Sequence, residues 1–368
     1  MTQYNSYLPG GERPYEIELL RSMIRGEITE DEAFKLKREH DDDLHPNTDD
    51  AFISKTAADW LIQPKDQPRY QRLFGEFWRK DELCIMFADT NVGKSILAVQ
   101  IGDAISAGRH IGNYTTTKQD EAVLYFDFEL TAQQFAERYT YINNRYGFAP
   151  NFHRLMINPD AGRERKFASF HDYIINAFEN VLVSTNASTI IIDNITCLRT
   201  STESAAGAVK LMQSLKMLRS KYKLSVLVLA HTPKRNVARP ITRNDLQGSK
   251  MLLNFADSAF AIGESQTTPG LRYLKQIKQR TGTLTHGADN VCLCRIQKHD
   301  NFLKFEFTGE GTEAEHLLHY TEQQRKATED RVMQLHNSGV TLRKIAAQTG
   351  LSHASVARMV RRLSEHTA

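Results

Sequence analysis

Between about residues 80 and 308, short apolar runs alternate with longer stretches of helical period. The runs at 83–87, 122–128, 154–157, 189–193 and 224–230 predict strands. The stretches at 94–107, 131–145, 169–183 and 205–221 predict helices, with Gly108 placed to end the first. That alternation is the signature of a mostly parallel sheet flanked by helices. After residue 256 the segments shorten, and 291–297 and 302–308 around Lys298-His299-Asp300-Asn301 predict a closing hairpin. Ahead of this region, residues 15–39 carry helical period through Ile17, Leu19, Leu20, Met23, Ile24, Ile28, Phe34 and Leu36. They give way to Asp41-Asp42-Asp43 and a polar stretch to Asp50, the composition of a solvated linker. Residues 322–364 are helical again, with breaks at Gly339 and Gly350. The expected organisation is an acidic helical segment and linker over 1–55, an α/β core over 56–310, a linker over 311–321 and a small all-α module over 322–368.

A chain of 368 residues supports this division into one large core and appendages. Its 47 Lys and Arg against 44 Asp and Glu neither demand nor exclude nucleic acid, but the distribution is uneven. Residues 1–50 hold 6 basic and 13 acidic side chains, whereas residues 322–368 hold 8 basic and 4 acidic, which points the C-terminal piece toward a polyanion. No apolar stretch approaches the roughly 20 residues that span a bilayer, and no basic-then-apolar leader is present, so a cytoplasmic protein without membrane attachment is expected. Cys84, Cys197, Cys292 and Cys294 lack paired C-x-x-C spacing and lie in apolar segments, favouring buried reduced thiols over zinc ligands or disulfides.

The strongest chemical signal is Leu83-Cys84-Ile85-Met86-Phe87-Ala88-Asp89-Thr90-Asn91-Val92-Gly93-Lys94-Ser95, an apolar run feeding a turn that ends in Gly-Lys-Ser and a helix. In a phosphate-binding loop, backbone N–H groups of Asn91 to Ser95 wrap a polyphosphate, Lys94 reaches the outer phosphates, and the Ser95 hydroxyl holds Mg²⁺. The helix dipole adds positive potential at the same point. Ala88 stands where the usual pattern has its first glycine, which narrows backbone freedom at the mouth of the loop.

About a hundred residues later, Thr189-Ile190-Ile191-Ile192-Asp193 is an apolar strand ending in a carboxylate, placed to orient Mg²⁺ at the ligand-binding edge of a parallel sheet. Glu129 follows the strand Val123 to Phe128 and is the candidate for orienting water at the γ-phosphate. Asp127 competes for that role, and both carboxylates are also placed to cap the helix beginning at Thr131.

In this order the elements resemble the RecA-like ATPases, in the branch that holds DnaB-type replicative helicases, plasmid RepA helicases and KaiC-type proteins. The resemblance covers about residues 60–308. Phe128-Glu129-Leu130 with Arg138 resembles that branch's catalytic glutamate and the Arg on the following helix. Leu227 to Lys234 resembles the strand whose end senses the γ-phosphate, making His231 the sensor. Gln276-Ile277-Lys278-Gln279-Arg280 resembles the Lys-x-Arg pair that reaches into a neighbour's ATP site. The resemblance implies an ATP- and Mg²⁺-dependent, ring-forming homo-oligomer, a hexamer in the helicases, serving replication or maintenance of a plasmid or mobile element. Its alternative is a non-translocating, ATP-switched DNA-binding regulator. The implied fold class is α/β, a RecA-like P-loop core with a mostly parallel sheet plus a small all-α helix-turn-helix module.

Two loops, roughly 195–205 and 233–247, are expected to face single-stranded DNA in a ring channel. The second carries Lys234, Arg235, Arg239 and Arg243. The C-terminal helices around Gly350 resemble the helix-turn-helix of resolvases and repressors. That likeness puts His353, Ala354, Ser355 and Arg358 toward a duplex groove and Arg361 and Arg362 near phosphate.

Overall fold

The structure is a computed structural model and describes residues 71–114, 121–158, 167, 169–195, 205–246, 250–318 and 322–365, with scattered positions between 22 and 61. Residues 1–68 and 69–368 form separate units. In the first, the helix expected over 15–39 is broken at Arg25–Ile28, where Gly26 takes φ 73°, and Thr29 and Glu32 form a new capping pair. The acidic stretch 41–50 lies outside the described residues.

The second unit is built on nine strands: β1 (Leu83–Ala88), β2 (Val123–Asp127), β3 (Phe152–Leu155), β4 (Thr189–Asp193), β5 (Ser225–His231), β6 (Ser258–Glu264), β7 (Leu271–Gln279), β8 (Val291–His299) and β9 (Phe302–Gly311). They form one sheet in the order β9-β8-β7-β6-β1-β5-β4-β2-β3. The pairs from β3 through to β6 are parallel, and β6-β7, β7-β8 and β8-β9 are antiparallel. The run β6-β1-β5-β4-β2-β3 is the mostly parallel core expected of an α/β sheet flanked by helices. The antiparallel strands extend its far side.

Alternation along the central strands explains their near-continuous apolar sequence. Leu83, Ile85 and Phe87 of β1 enter one core layer, whereas Cys84, Met86 and Ala88 enter the other. Ile190 and Ile192 of β4 and Val226, Val228 and Ala230 of β5 share the first layer, which is covered by α3 (Phe170–Thr185) and α4 (Ala205–Tyr222). The second layer is covered by α1 (Lys94–Ser106), whose residues are nearly all buried because the β8-β9 hairpin wraps its other side. Gln100 fixes that wrap by donating to the Phe305 carbonyl at 3.0 Å and accepting from the Phe305 N–H at 2.8 Å.

The five predicted strands and the hairpin are present. The helix expected over 131–145 is shorter. Here α2 runs only over Ala132–Arg138, capped by Thr131 and Gln134, and a ribbon of Thr140–Tyr141 with Asn144–Arg145 follows. Buried Tyr139 anchors the break, and Lys298 donates to the carbonyls of Glu137 and Thr140 at 2.7 and 2.8 Å, supplying partners that further helix would have provided.

Residues 311–318 of the expected linker are packed; 319–321 lie outside the described residues. Glu313 is 1% exposed, pairs with Lys275 and accepts from the Ile241 N–H at 2.8 Å, so the chain at 311–318 packs on the core. A short α5 (Lys250–Phe255) precedes β6, and beyond the core α6 (Glu322–Asn337), α7 (Leu342–Thr349) and α8 (His353–Glu365) bury Val332, Ile345, Val356 and Val360 against one another. Gly350 ends α7 at φ 72°, a conformation that favours glycine, and the Ser352 hydroxyl accepts from the Ser355 N–H at 3.1 Å to start α8.

Candidate nucleotide site

The C-terminal ends of β1, β2, β4 and β5 lie side by side, and the residues leaving them converge on one cleft of about 520 Å³. Its lining includes Gly93, Lys94, Ser95, Glu129, Arg138 and His231. The loop after β1 turns through Asn91 at φ 63° and Gly93 at φ 108°. A Cβ at Gly93 would stand 2.5 Å from the Cδ1 tip of Ile296 in β8, which can shift, so it is the backbone angle that requires glycine there. Ala88 is still in strand geometry, paired with both His231 and Ile262, and the left-handed freedom of the loop is used further along.

Lys94 is buried and donates to the carbonyls of Ala88 and Asp89 at 3.1 and 2.9 Å, with His231 Nδ1 at 3.0 Å. Burial lowers its pKa, against the opposing pull of Asp193, Glu129 and Asp89. A polyphosphate in the loop would offer this ammonium the anionic partner that the two carbonyls imitate.

Asp193 is fully buried at the end of β4, where one carboxylate oxygen accepts from the Tyr125 hydroxyl at 2.7 Å and the side chain lies beside Ser95. Its Oδ1 has no hydrogen-bond partner. Burial raises its pKa to about 6, against the lowering pull of the neighbouring Ser95 and Tyr125 hydroxyls. A hydroxyl and a carboxylate with an orphaned oxygen make a hard-oxygen pair that fits Mg²⁺, which keeps most of its waters and takes few protein ligands.

Glu129 and Asp127 separate cleanly. Asp127 is buried, accepts from the N–H groups of Glu129 and Leu130 at 3.1 and 2.9 Å, and pairs with Arg154 at 2.8 Å, so it holds the turn. Glu129 projects into the cleft, where its Oε1 meets His231 Nε2 at 3.1 Å and Asn194 Nδ2, and it caps nothing, since Thr131 and Gln134 cap α2. Asn194 Nδ2 also lies 2.8 Å from His231 Nε2.

Asn194 was missed by sequence reasoning, although its place directly after Asp193 marked it. Also unforeseen were Arg272, which donates from β7 to the Val92 carbonyl at 2.8 Å, and Thr232 and Arg235, which both engage Asp89. No local motif identifies residues that reach the loop across the sheet.

The cation pair Lys278 and Arg280 lies elsewhere. Lys278 is in register with Ala259, which pairs with Ile85, placing it toward the start of β1 and away from the chain's own phosphate loop. It donates to the carbonyls of Leu253 and Ala256, while Arg280 pairs with Asp257 at 3.2 Å. Arg243 belongs to this group, lining a second cleft with Lys278, so the cations of the 233–247 loop do not form one stripe. Lys234 and Arg239 are exposed, whereas Arg235 is committed to Asp89 and the Arg239 carbonyl. Most of the other expected loop, 196–204, is outside the described residues. On α8, His353, Arg358, Arg361 and Arg362 are exposed, Ser355 is half-buried in the cap, and Arg362 pairs with Glu329 of α6.

A glycine-lysine-serine loop opening a helix, with a buried carboxylate beside the serine and a carboxylate projecting from the neighbouring strand, defines a P-loop nucleoside triphosphatase. Residues 50–237 match the AAA domain family, and the chain belongs to that family. Among solved structures it is similar to a KaiC-like protein from the hyperthermophilic archaeon Pyrococcus horikoshii OT3, at 12% identity and a TM-score of 0.44, over 62% of this chain and 91% of that one. No curated protein matches it. No described helix is long and apolar enough to cross a membrane.

Proposed function

We propose that this P-loop ATPase is a ring-forming, DNA-associated motor whose C-terminal helices engage duplex DNA as a helix-turn-helix, in replication or maintenance of a plasmid or mobile element. The observation that carries the reading is the convergence of Lys94, Ser95, Asp193, Glu129 and His231 at four adjacent strand ends, with Lys278 and Arg280 far from that cleft. ATP would lie on Asn91 to Ser95 with Arg138 beside it, and Ser95 and Asp193 would hold Mg²⁺, which neutralises phosphate charge when bound. Glu129 orients the attacking water, with Asn194 and His231 fixing its carboxylate. His231 lies between Lys94 and Glu129 and passes the state of the γ-phosphate to Thr232 and the 233–247 loop. Lys278 and Arg280 complete a neighbouring copy's site as charge develops on the transferred group. In the channel, Lys234 and Arg239 track phosphates, while Arg243 lies with Lys278 at the second cleft. On the duplex, His353, Ser355 and Arg358 face the groove, with Arg361 and Arg362 near the backbone.

The test is ATP-dependent unwinding of a forked duplex by the purified full chain, with electron microscopy of the protein on single-stranded DNA and a non-hydrolysable ATP analogue. Rings with strand separation support the motor. Tight duplex binding without unwinding assigns the ATP-switched regulator instead, and a monomer without nucleotide affinity overturns both.

A further inference from the structure

The β8-β9 edge carries a cluster that the nucleotide site does not use. Cys292 and Glu310 are directly paired across the two strands, so their side chains share a face. His286, in the segment between β7 and β8, is held by its backbone: its N–H donates to Gln276 Oε1 at 2.8 Å, and its carbonyl accepts from the Gln276 N–H at 2.8 Å. Its ring stacks on Phe77 with centroids 5.1 Å apart. His286 is 6% exposed, yet its Nδ1 has no hydrogen-bond partner and stands 3.8 Å from Glu310 Oε1, too far for a hydrogen bond. His286, Cys292 and Glu310 each offer one ligand atom, and these atoms all lie within 4.8 Å of one another. Tyr114 lies beside Cys292, and Tyr114, His286 and Glu310 line an open cleft of about 520 Å³.

We propose that His286 Nδ1, Cys292 Sγ and the Glu310 carboxylate form a binding site for a divalent ion of the zinc class, with the fourth position open to this cleft. One thiolate, one imidazole and one carboxylate make a mixed soft and borderline donor set that suits Zn²⁺ and selects against Mg²⁺ and Ca²⁺. Bond lengths of about 2.0–2.3 Å require the three atoms to close by roughly 1 Å. Glu310 supplies that movement, being half exposed and flanked by Gly309 and Gly311. The orphaned Nδ1 gains the partner that its burial otherwise denies it. The Cys292 thiol gives up its proton to water as the ion binds. The ion would staple the 281–290 segment, which directly follows Arg280, to the outer hairpin. The C-x-x-C criterion did not find this site because strand pairing brings Glu310 to Cys292.

Titration of the nucleotide-free full chain with Co²⁺ tests it. One equivalent is expected to give a thiolate-to-cobalt absorption band, displaced by Zn²⁺ but not by excess Mg²⁺. C292S abolishes the band and C294S retains it. E310Q, at a half-exposed position that folding does not require, weakens binding by about tenfold or more. Absence of the band in the wild-type protein, its survival in C292S, or unchanged affinity in E310Q overturns the proposal. None of these outcomes depends on ATP binding.

Discussion

Replacing Glu313 by Gln breaks the most deeply buried ion pair among the described residues. The Glu313 carboxylate takes hydrogen bonds from Lys275, from the Ile241 N–H at 2.8 Å and from the Tyr273 hydroxyl at 3.3 Å, and Lys275 also donates to the Ile241 carbonyl at 2.8 Å. The Lys275 side chain is 10% exposed and that of Glu313 is 1% exposed, so solvent cannot take over the lost partner. An ammonium stranded in this way costs about 3–5 kcal/mol. The K275M/E313Q variant strands no charge and retains an acceptor for Ile241, so it should lose less than E313Q alone. Urea unfolding in a Trp60→Phe background measures this through Trp78, which is fully buried in the same core layer as β1 and α1. A loss below about 1 kcal/mol in E313Q, or losses that add in the double variant, would refute the argument. In the ring reading, E313Q also weakens single-strand binding, because Ile241 belongs to the 233–247 loop.

Three further expectations concern the nucleotide cleft. Glu129→Gln should lower the ATP turnover rate by about 10²–10⁴-fold while leaving nucleotide affinity near wild type, and a change in affinity alone would remove Glu129 from the water-positioning role. K94A and K278A/R280A variants, each inactive alone, should recover part of the ATPase rate when mixed, because one supplies an intact loop and the other intact trans cations; no recovery at any ratio counts against shared sites. Asp193 is held protonated by burial up to about pH 6, so its stabilisation of the metal-free fold is full below its ordinary pKa of 3.8 and is lost as pH rises through 6. In EDTA, D193N should therefore gain on wild type by up to about 3 kcal/mol between pH 4 and pH 7, and a pH-independent difference would exclude this account.

The strands and the P-loop were legible because they depend on short-range pattern: two apolar faces per strand, and a turn followed by a helix. Glu129 was favoured over Asp127 by its place just after the strand, whereas the partner that occupies Asp127, Arg154 arriving from β3, is visible only in three dimensions. The overlong α2 reflects the same limit, since Lys298 from the distant hairpin supplies the contacts that end it. Asn194, Arg272 and Glu313 act through tertiary reach, which leaves no periodic trace in the sequence. Lys278 and Arg280 were found as a pattern, but the register alone gives their distance from the chain's own cleft.

The Gly93 turn is braced by Arg272, Ile296 and Phe305, which the ribosome makes some two hundred residues after the lysine they support. A nascent chain halted after β5 would carry Lys94, Ser95, Glu129, Asp193 and His231 of the cleft and still lack the walls that shape its loop. Competence for nucleotide should therefore switch on late in synthesis, as the closing hairpin leaves the exit tunnel, which would keep truncated products from sequestering ATP.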